Sequence, residues 1–244
     1  MAGVEEAGPG AGGGPVGLSE HSRGIAEASM IQLTDTKRLK RVLCLGAHSD
    51  DIEIGCGGTL LRLARENPGV EVRWVVFCGA DERRNREARE SAGQYLAGFE
   101  RPQVDVYAFR DAFMAFDGVA VKERFEELKR SFTPDVVFTH FRDDRHQDHR
   151  LLSDLAWNTW RDHQILEYEI LKYDGDLGRP NVFAQLPEDV CRQKIDLLMK
   201  CFPTQAARQW FSEDTFWSVL RIRGVECNSP SKYAEAFHAR KMLF

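Results

Sequence analysis

The run Val42-Leu43-Cys44-Leu45-Gly46 is apolar throughout and stops abruptly at a polar cluster, Ala47-His48-Ser49-Asp50-Asp51. A short unbroken apolar run of this kind reads as a strand buried on both faces. Similar runs follow at Val70 to Cys78, Val104 to Phe109 and Val136 to Thr139. Helical stretches alternate with them: Thr59 to Glu66, Glu82 to Ala97, Val121 to Ser131 and His149 to Asp162. Phe125, Leu128 and Phe132 keep helical spacing, and so do Leu152, Leu155, Ala156 and Thr159. This alternation predicts an α/β chain: a Rossmann-like, mostly parallel sheet with helices on both faces. Ile165 to Leu171 reads as a further strand, Glu188 to Cys201 and Glu213 to Ile222 as late helices. Six sheet strands are expected, with the late helices covering one end.

The first 17 residues hold seven glycines and little apolar material. Such a segment buries too little surface to offset its ordering entropy, so disorder is expected over residues 1–20. Residues 21–244 then form a single domain, its first part a short helix or an arm.

A net charge of −5 gives no electrostatic case for binding nucleic acid or an anionic membrane. No apolar run reaches the length of a membrane span, and the N-terminus lacks the features of a signal peptide. The six cysteines form no C-x-x-C pair and read as reduced core residues. A cytoplasmic protein acting on a small molecule is the expectation, with homo-oligomerisation left open.

The chemistry lies in two clusters. The first follows the run at Val42. The second, His146-Gln147-Asp148-His149, follows the run at Val136. Open α/β sheets build their sites where strands end, so both clusters are expected on one rim. The spacing H-x-x-D lets a tight turn aim two side chains at one ion. The spacing H-x-x-H at a helix start puts two imidazoles on one face. Catalytic zinc takes three protein ligands and keeps a fourth position open. His48, Asp51 and His149 supply such a set. Asp50 is then free as a general base and His146 as a donor, with Asp148 placed to hold His146 charged. The glycines Gly55, Gly57 and Gly58 do not make a dinucleotide fingerprint and read as close-packing positions.

At these residues the chain resembles the LmbE-like, or PIG-L-type, zinc-dependent N-deacetylases. Their first motif stands here as Ala47-His48-Ser49-Asp50-Asp51-Ile52-Glu53-Ile54-Gly55-Cys56-Gly57-Gly58-Thr59, and their second as His146-Gln147-Asp148-His149. Ser49 and Gln147 replace the usual prolines, at positions that supply no ligand. The resemblance implies removal of an acetyl group from N-acetylglucosamine-type amino sugars. It implies Zn2+ on His48, Asp51 and His149, while the ligand set alone leaves iron or cobalt open. It implies Asp50 as general base, and His146 as the group that stabilises the tetrahedral intermediate or protonates the amine. It also brings forward an arginine after the second strand as a substrate contact, so Arg83, Arg84 and Arg86 are candidates alongside a solvated helix face. Glu235 and His238 lie in a tail similar to the family's and are candidates beside a packed tail helix. Tyr168 and Tyr173 are placed to reach the pocket mouth. Two other readings stay open: a metal-dependent esterase or amidase on another small substrate, and a metal- or sugar-binding protein without turnover.

Overall fold

Strand β1 (Arg41–Gly46) is buried on both faces, as its composition dictates. Its odd and even residues enter different cores: Val42 and Cys44 pack on one side of the sheet, Leu43 and Leu45 on the other. A computed structural model of the chain describes Gly3 and residues 36–242. The expected disordered segment, and most of the arm after it, lie outside the described residues.

The chain continues through α1 (Asp51–Glu66), β2 (Glu71–Val76), α2 (Glu82–Tyr95), β3 (Arg101–Val106), α3 (Gly118–Ser131), β4 (Val136–His140), α4 (Gln147–Thr159) and β5 (Gln164–Tyr168). It ends with β6 (Val182–Gln185), α5 (Glu188–Cys201), α6 (Glu213–Glu226) and β7 (Ala234–His238). The sheet has seven strands in the order β3-β2-β1-β4-β5-β7-β6. The first five are parallel, while β7 runs antiparallel to both β5 and β6. The larger core holds α1, α2, α5 and α6 against one face, around Trp74, Tyr95, Tyr168 and Phe202. The smaller holds α3 and α4 against the other, around Phe77, Phe125 and Trp160. All six cysteines are buried and free. Among the described residues, no helix is long and apolar enough to cross a membrane.

Two elements differ from the sequence expectation. The first helix starts at Asp51, not Thr59, so Gly55, Gly57 and Gly58 lie inside it. Glycine costs a helix about 1 kcal/mol relative to alanine, but here it permits contact that no side chain allows. A Cβ on Gly55 would lie 2.2 Å from the Tyr168 ring, and one on Gly57 would lie 2.6 Å from the Tyr95 ring. The second difference is the seventh strand. Residues 234–238 form β7 rather than a tail helix, and the four-residue β6 pairs with it. A strand that short gives too few alternations to stand out in sequence.

Gly55→Ala should force α1 away from Tyr168. Overpacking a tight interior contact costs about 1–3 kcal/mol. The urea midpoint should fall accordingly with an unchanged slope. A midpoint equal to wild type would show that the Tyr168 ring gives way freely.

Candidate metal centre and active site

β1 and β4 are sheet neighbours although three helices and two strands separate them along the chain. The chain leaves β1 towards β2 and β3, then returns on the other side to β4. The carboxyl ends of β1 and β4 therefore open a crevice at the switch in strand order. Both clusters lie on it. His48 is in the turn after β1, Asp50 directly precedes α1, and Asp51 is the first residue of α1. His146 caps α4, its Nδ1 accepting the Asp148 backbone N–H at 3.3 Å, and His149 follows in the first turn.

Three donor atoms converge there. His48 Nδ1 is 3.0 Å from His149 Nε2 and 3.3 Å from Asp51 Oδ2, and His149 Nε2 is 3.5 Å from Asp51 Oδ2. Ligand atoms about 2.0–2.2 Å from a tetrahedral ion are separated by about 3.3–3.6 Å, so this triangle suits one zinc-sized ion. The far side of each imidazole is tied to a carboxylate. His149 Nδ1 lies 2.9 Å from Asp144 Oδ2, and His48 Nε2 lies 3.0 Å from Asp111 Oδ1. A carboxylate only accepts, so His149 Nδ1 carries its proton; the His48–Asp111 contact is an ion pair without hydrogen-bond geometry. His149 Nε2 then presents a lone pair, and His48 Nδ1 presents one whenever that ring is neutral, beside a carboxylate oxygen. Three electron-rich atoms at such distances call for a cation among them, and outer carboxylates orienting histidines are what metal sites use.

The charges follow from the same contacts. Burial alone would lower the His48 pKa, but Asp51, Asp111 and Asp148 outweigh it and raise it well above the usual value. Burial and the neighbouring His140 push His149 down to about 3. Without metal, a single proton therefore serves the pair. Burial would raise Asp51, yet His149, His140 and His48 hold it well below the carboxylate range. Asp144 is likewise lowered, because the His149 hydrogen bond and nearby cations, Lys172 among them, outweigh burial.

Asp50 is buried beside the triad, and its Oδ1 accepts from Arg84 Nη2 at 2.7 Å. Burial raises its pKa more than Arg84 lowers it. The Arg84 guanidinium is in turn fixed by Glu87 at 2.9 Å and Thr204 at 3.1 Å. Of the three candidate arginines, Arg84 reaches the site, whereas Arg83 and Arg86 are exposed on α2.

Other candidates lie elsewhere. The Asp148 carboxylate does not meet the His146 ring as expected. Its Oδ2 accepts from the Ala112 N–H at 2.9 Å and lies 3.5 Å from His48 Nε2. Burial and the charge of His48 consequently leave the His146 pKa lowered. Tyr168 is fully buried, donating to the Leu45 carbonyl at 2.6 Å beneath the site, so it does not face a pocket mouth. Glu235 is buried too, accepting from the Gly58 and Thr59 N–H groups and from Lys194 at 2.6 Å. It holds the middle of α1 and touches no site residue. His238 stacks on Phe141 at 3.8 Å between ring centroids, and its Nε2 lies 3.5 Å from Glu169 Oε1. Tyr173 is exposed on the loop after β5.

Sequence reasoning missed His140, Asp144 and Asp111. His140 stacks on His149 at 3.9 Å, and its Nε2 accepts the Ala47 N–H at 2.9 Å. It continues the apolar run of β4, which hides it. Asp144 gives a signal only in hindsight, two residues before His146, whose N–H it accepts at 2.7 Å. Asp111 comes from a loop with no motif.

Known proteins share this arrangement of elements. Residues 43–160 match the model of a family described as "PIG-L: GlcNAc-PI de-N-acetylase". A protein of Escherichia coli (strain K12), "Uncharacterized deacetylase YaiS", is 30% identical over 178 residues, which cover 69% of this chain and 94% of that protein. The chain belongs to the PIG-L family. Deacetylases of this family hydrolyse amide bonds. The PIG-L fold of the chain is also found in solved structures. N,N'-diacetylchitobiose deacetylase from Pyrococcus horikoshii superposes with a TM-score of 0.63 at 22% identity, covering 83% of this chain and 84% of that one. GalB, the 4-carboxy-2-hydroxymuconate hydratase from Pseudomonas putida KT2440, gives 0.67 at 19% identity, with coverage of 84% and 98%. At these identities the two structures speak for the fold alone.

Two outcomes follow from the geometry. His149→Ala should lose stoichiometric metal, whereas Asp144→Asn should keep the ligand but weaken metal binding about 10–100-fold. Metal analysis and competition with a chelator read both, and wild-type affinity in each variant would remove the triad as the site. Glu235→Ala should instead destabilise the fold by about 3–5 kcal/mol, because it strands a buried Lys194. Its metal content after purification should stay stoichiometric, and metal loss at full stability would place Glu235 in the site after all.

Proposed function

We propose that this PIG-L protein is a zinc-dependent hydrolase that removes the N-acetyl group from an N-acetylglucosamine-type amino sugar or glycoconjugate. The observation that supports it most is the donor triangle of His48, Asp51 and His149 with a non-ligating carboxylate, Asp50, adjoining it in sequence. The chemistry of this donor set, two imidazoles and one carboxylate, suits zinc in a catalytic site. When bound, zinc supplies Lewis-acid chemistry, polarising the acetyl carbonyl and making water more acidic.

The chain's own residues do the rest. Arg84 engages Oδ1 of Asp50, which leaves Oδ2 to accept the proton of the attacking water. Arg84 cannot swing away easily, since Glu87 and Thr204 hold its other nitrogen. The Nδ1 of His146 accepts a backbone N–H, so the ring proton sits on Nε2. From there His146 donates to the developing oxyanion or to the departing amine. Asp148 lies 3.5 Å from His48 Nε2, and its charge also favours the protonated form of His146, though burial and the charge of His48 outweigh it. The deacetylase named for N,N'-diacetylchitobiose has this fold, which supports an amino-sugar substrate.

The test is release of free amine from N-acetylglucosamine and N,N'-diacetylchitobiose by the zinc-loaded protein. Asp50→Asn should keep its zinc and lose roughly 10²–10⁴ in kcat, the scale of a lost general base. Zinc-loaded wild-type protein that releases no amine from any N-acetyl amino sugar would overturn the substrate assignment. Hydration of an unsaturated acid by the same preparation would favour the chemistry that GalB performs.

A further inference from the structure

The loop between β3 and α3 reaches the crevice at Asp111, and both of its ends are tied down. The Phe109 N–H donates to the Phe77 carbonyl at 3.1 Å, and Met114 is buried in the smaller core. Between these anchors Asp111 Oδ1 lies 3.0 Å from His48 Nε2. The next residue, Ala112, has a φ of +64°, left-handed backbone that a residue with a side chain enters only at a cost. Such a conformation persists where the surrounding contacts over-determine it.

Those contacts come from two consecutive residues of α4. Asp148 Oδ2 accepts the Ala112 N–H at 2.9 Å, and Gln147 Nε2 donates to the Ala112 carbonyl. Together they engage both backbone polar groups of the one strained residue. Asp148 is fully buried, whereas Gln147 is exposed. Gln147 is also the first residue of α4, where the helix requires nothing of the side chain. It stands at one of the two positions where this chain departs from the proline of the family motif, and a proline ring could not make this bond. Relaxation of Ala112 to a negative φ would rotate the peptide that carries Asp111 and break its approach to His48.

We propose that Gln147 is a positioning residue: its bond to the Ala112 carbonyl latches the strained loop so that Asp111 stays against His48, and this strengthens metal binding at His48, Asp51 and His149. A carboxylate on one edge of the His48 ring favours a dication on the other edge more than it favours a single proton there. Asp111 is 73% exposed, so without the latch it turns to water. The inference rests on the metal reading of that triangle and is independent of the substrate.

Two variants remove the latch. Gln147→Met keeps the length and helix propensity of the side chain but has no N–H donor. Gln147→Pro is accepted at the first helical position, and His146 before it already has the extended backbone that a following proline favours, with φ −72° and ψ 126°. Exchange of the Ala112 amide is followed by NMR in the metal-free full-length chain, and zinc affinity by competition with a chromophoric chelator. In both variants the Ala112 amide should exchange about tenfold faster while the thermal midpoint stays near wild type. Zinc should bind about threefold to tenfold more weakly. Asp111→Ala should weaken zinc by a similar factor, and adding Gln147→Met to it should weaken zinc no further, because the two act in series. Wild-type zinc affinity in both Gln147 variants would overturn the positioning role, as would a loss equally large with and without Asp111. Unchanged exchange at Ala112 would overturn the latch itself. A wild-type chain that binds no zinc would instead overturn the metal reading, and the amide exchange would still decide whether Gln147 holds the loop.

Discussion

Two imidazole nitrogens face each other across 3.0 Å, with a carboxylate behind each ring and room for one positive charge between them. Such a pair is repulsive unless something positive lies between, and much of the structure around the crevice serves to hold the pair there. Asp144 and Lys172 fix His149, and Asp111 and Asp148 fix His48. His140 stacks beneath His149 while gripping the Ala47 amide, so the turn after β1 and the end of β4 cannot part. Tyr168 presses on α1 at Gly55 and bonds the backbone of β1. The convergence of these donors is thus held by contacts from several strands, helices and loops.

Much of this was legible in the sequence. The apolar runs placed β1, β2 and β4 to within a few residues, and the polar clusters at their ends placed the crevice. Helix α5 was read to the residue, Glu188–Cys201, because its periodicity is clean and Pro187 marks its start. The convergence of His48, Asp51 and His149 was legible because short spacing within a turn or a first helical turn limits where side chains point. What escaped was whatever depends on tertiary contact. Asp148 was paired with His146 on grounds of proximity along the chain; its charge does favour the His146 cation, but burial and the charge of His48, neither visible in sequence, outweigh it. Tyr168, Glu235 and His238 looked available for a ligand, yet burial commits Tyr168 and Glu235 to the core and stacking commits His238 to Phe141. His140 was concealed by its position in an apolar strand.

The shared fold of a deacetylase and a hydratase shows where function resides. The sheet supplies a crevice at a switch in strand order, and short loops decorate it. In this chain the loops contribute Asp111 from after β3 and Thr204 from after α5, neither of which a motif announces. Thr204 bonds Glu87 and Arg84, so a segment far along the sequence shapes the surroundings of Asp50.

The position of β7 has a consequence for how the molecule is made. It lies between β5 and β6 in the sheet, although it follows both in the chain, with two helices intervening. As the polypeptide leaves the ribosome, β6 emerges before β7, its one sheet partner among the described residues, has been synthesised. The parallel half, from β1 to β5, can assemble earlier. Lys194 meanwhile waits on α5 for the carboxylate of Glu235. The β7 segment therefore acts as a keystone: it closes the sheet, neutralises a buried lysine and clamps α1 in one step. Until it arrives, the unpaired β6 and the edge of β5 are what chaperones would meet.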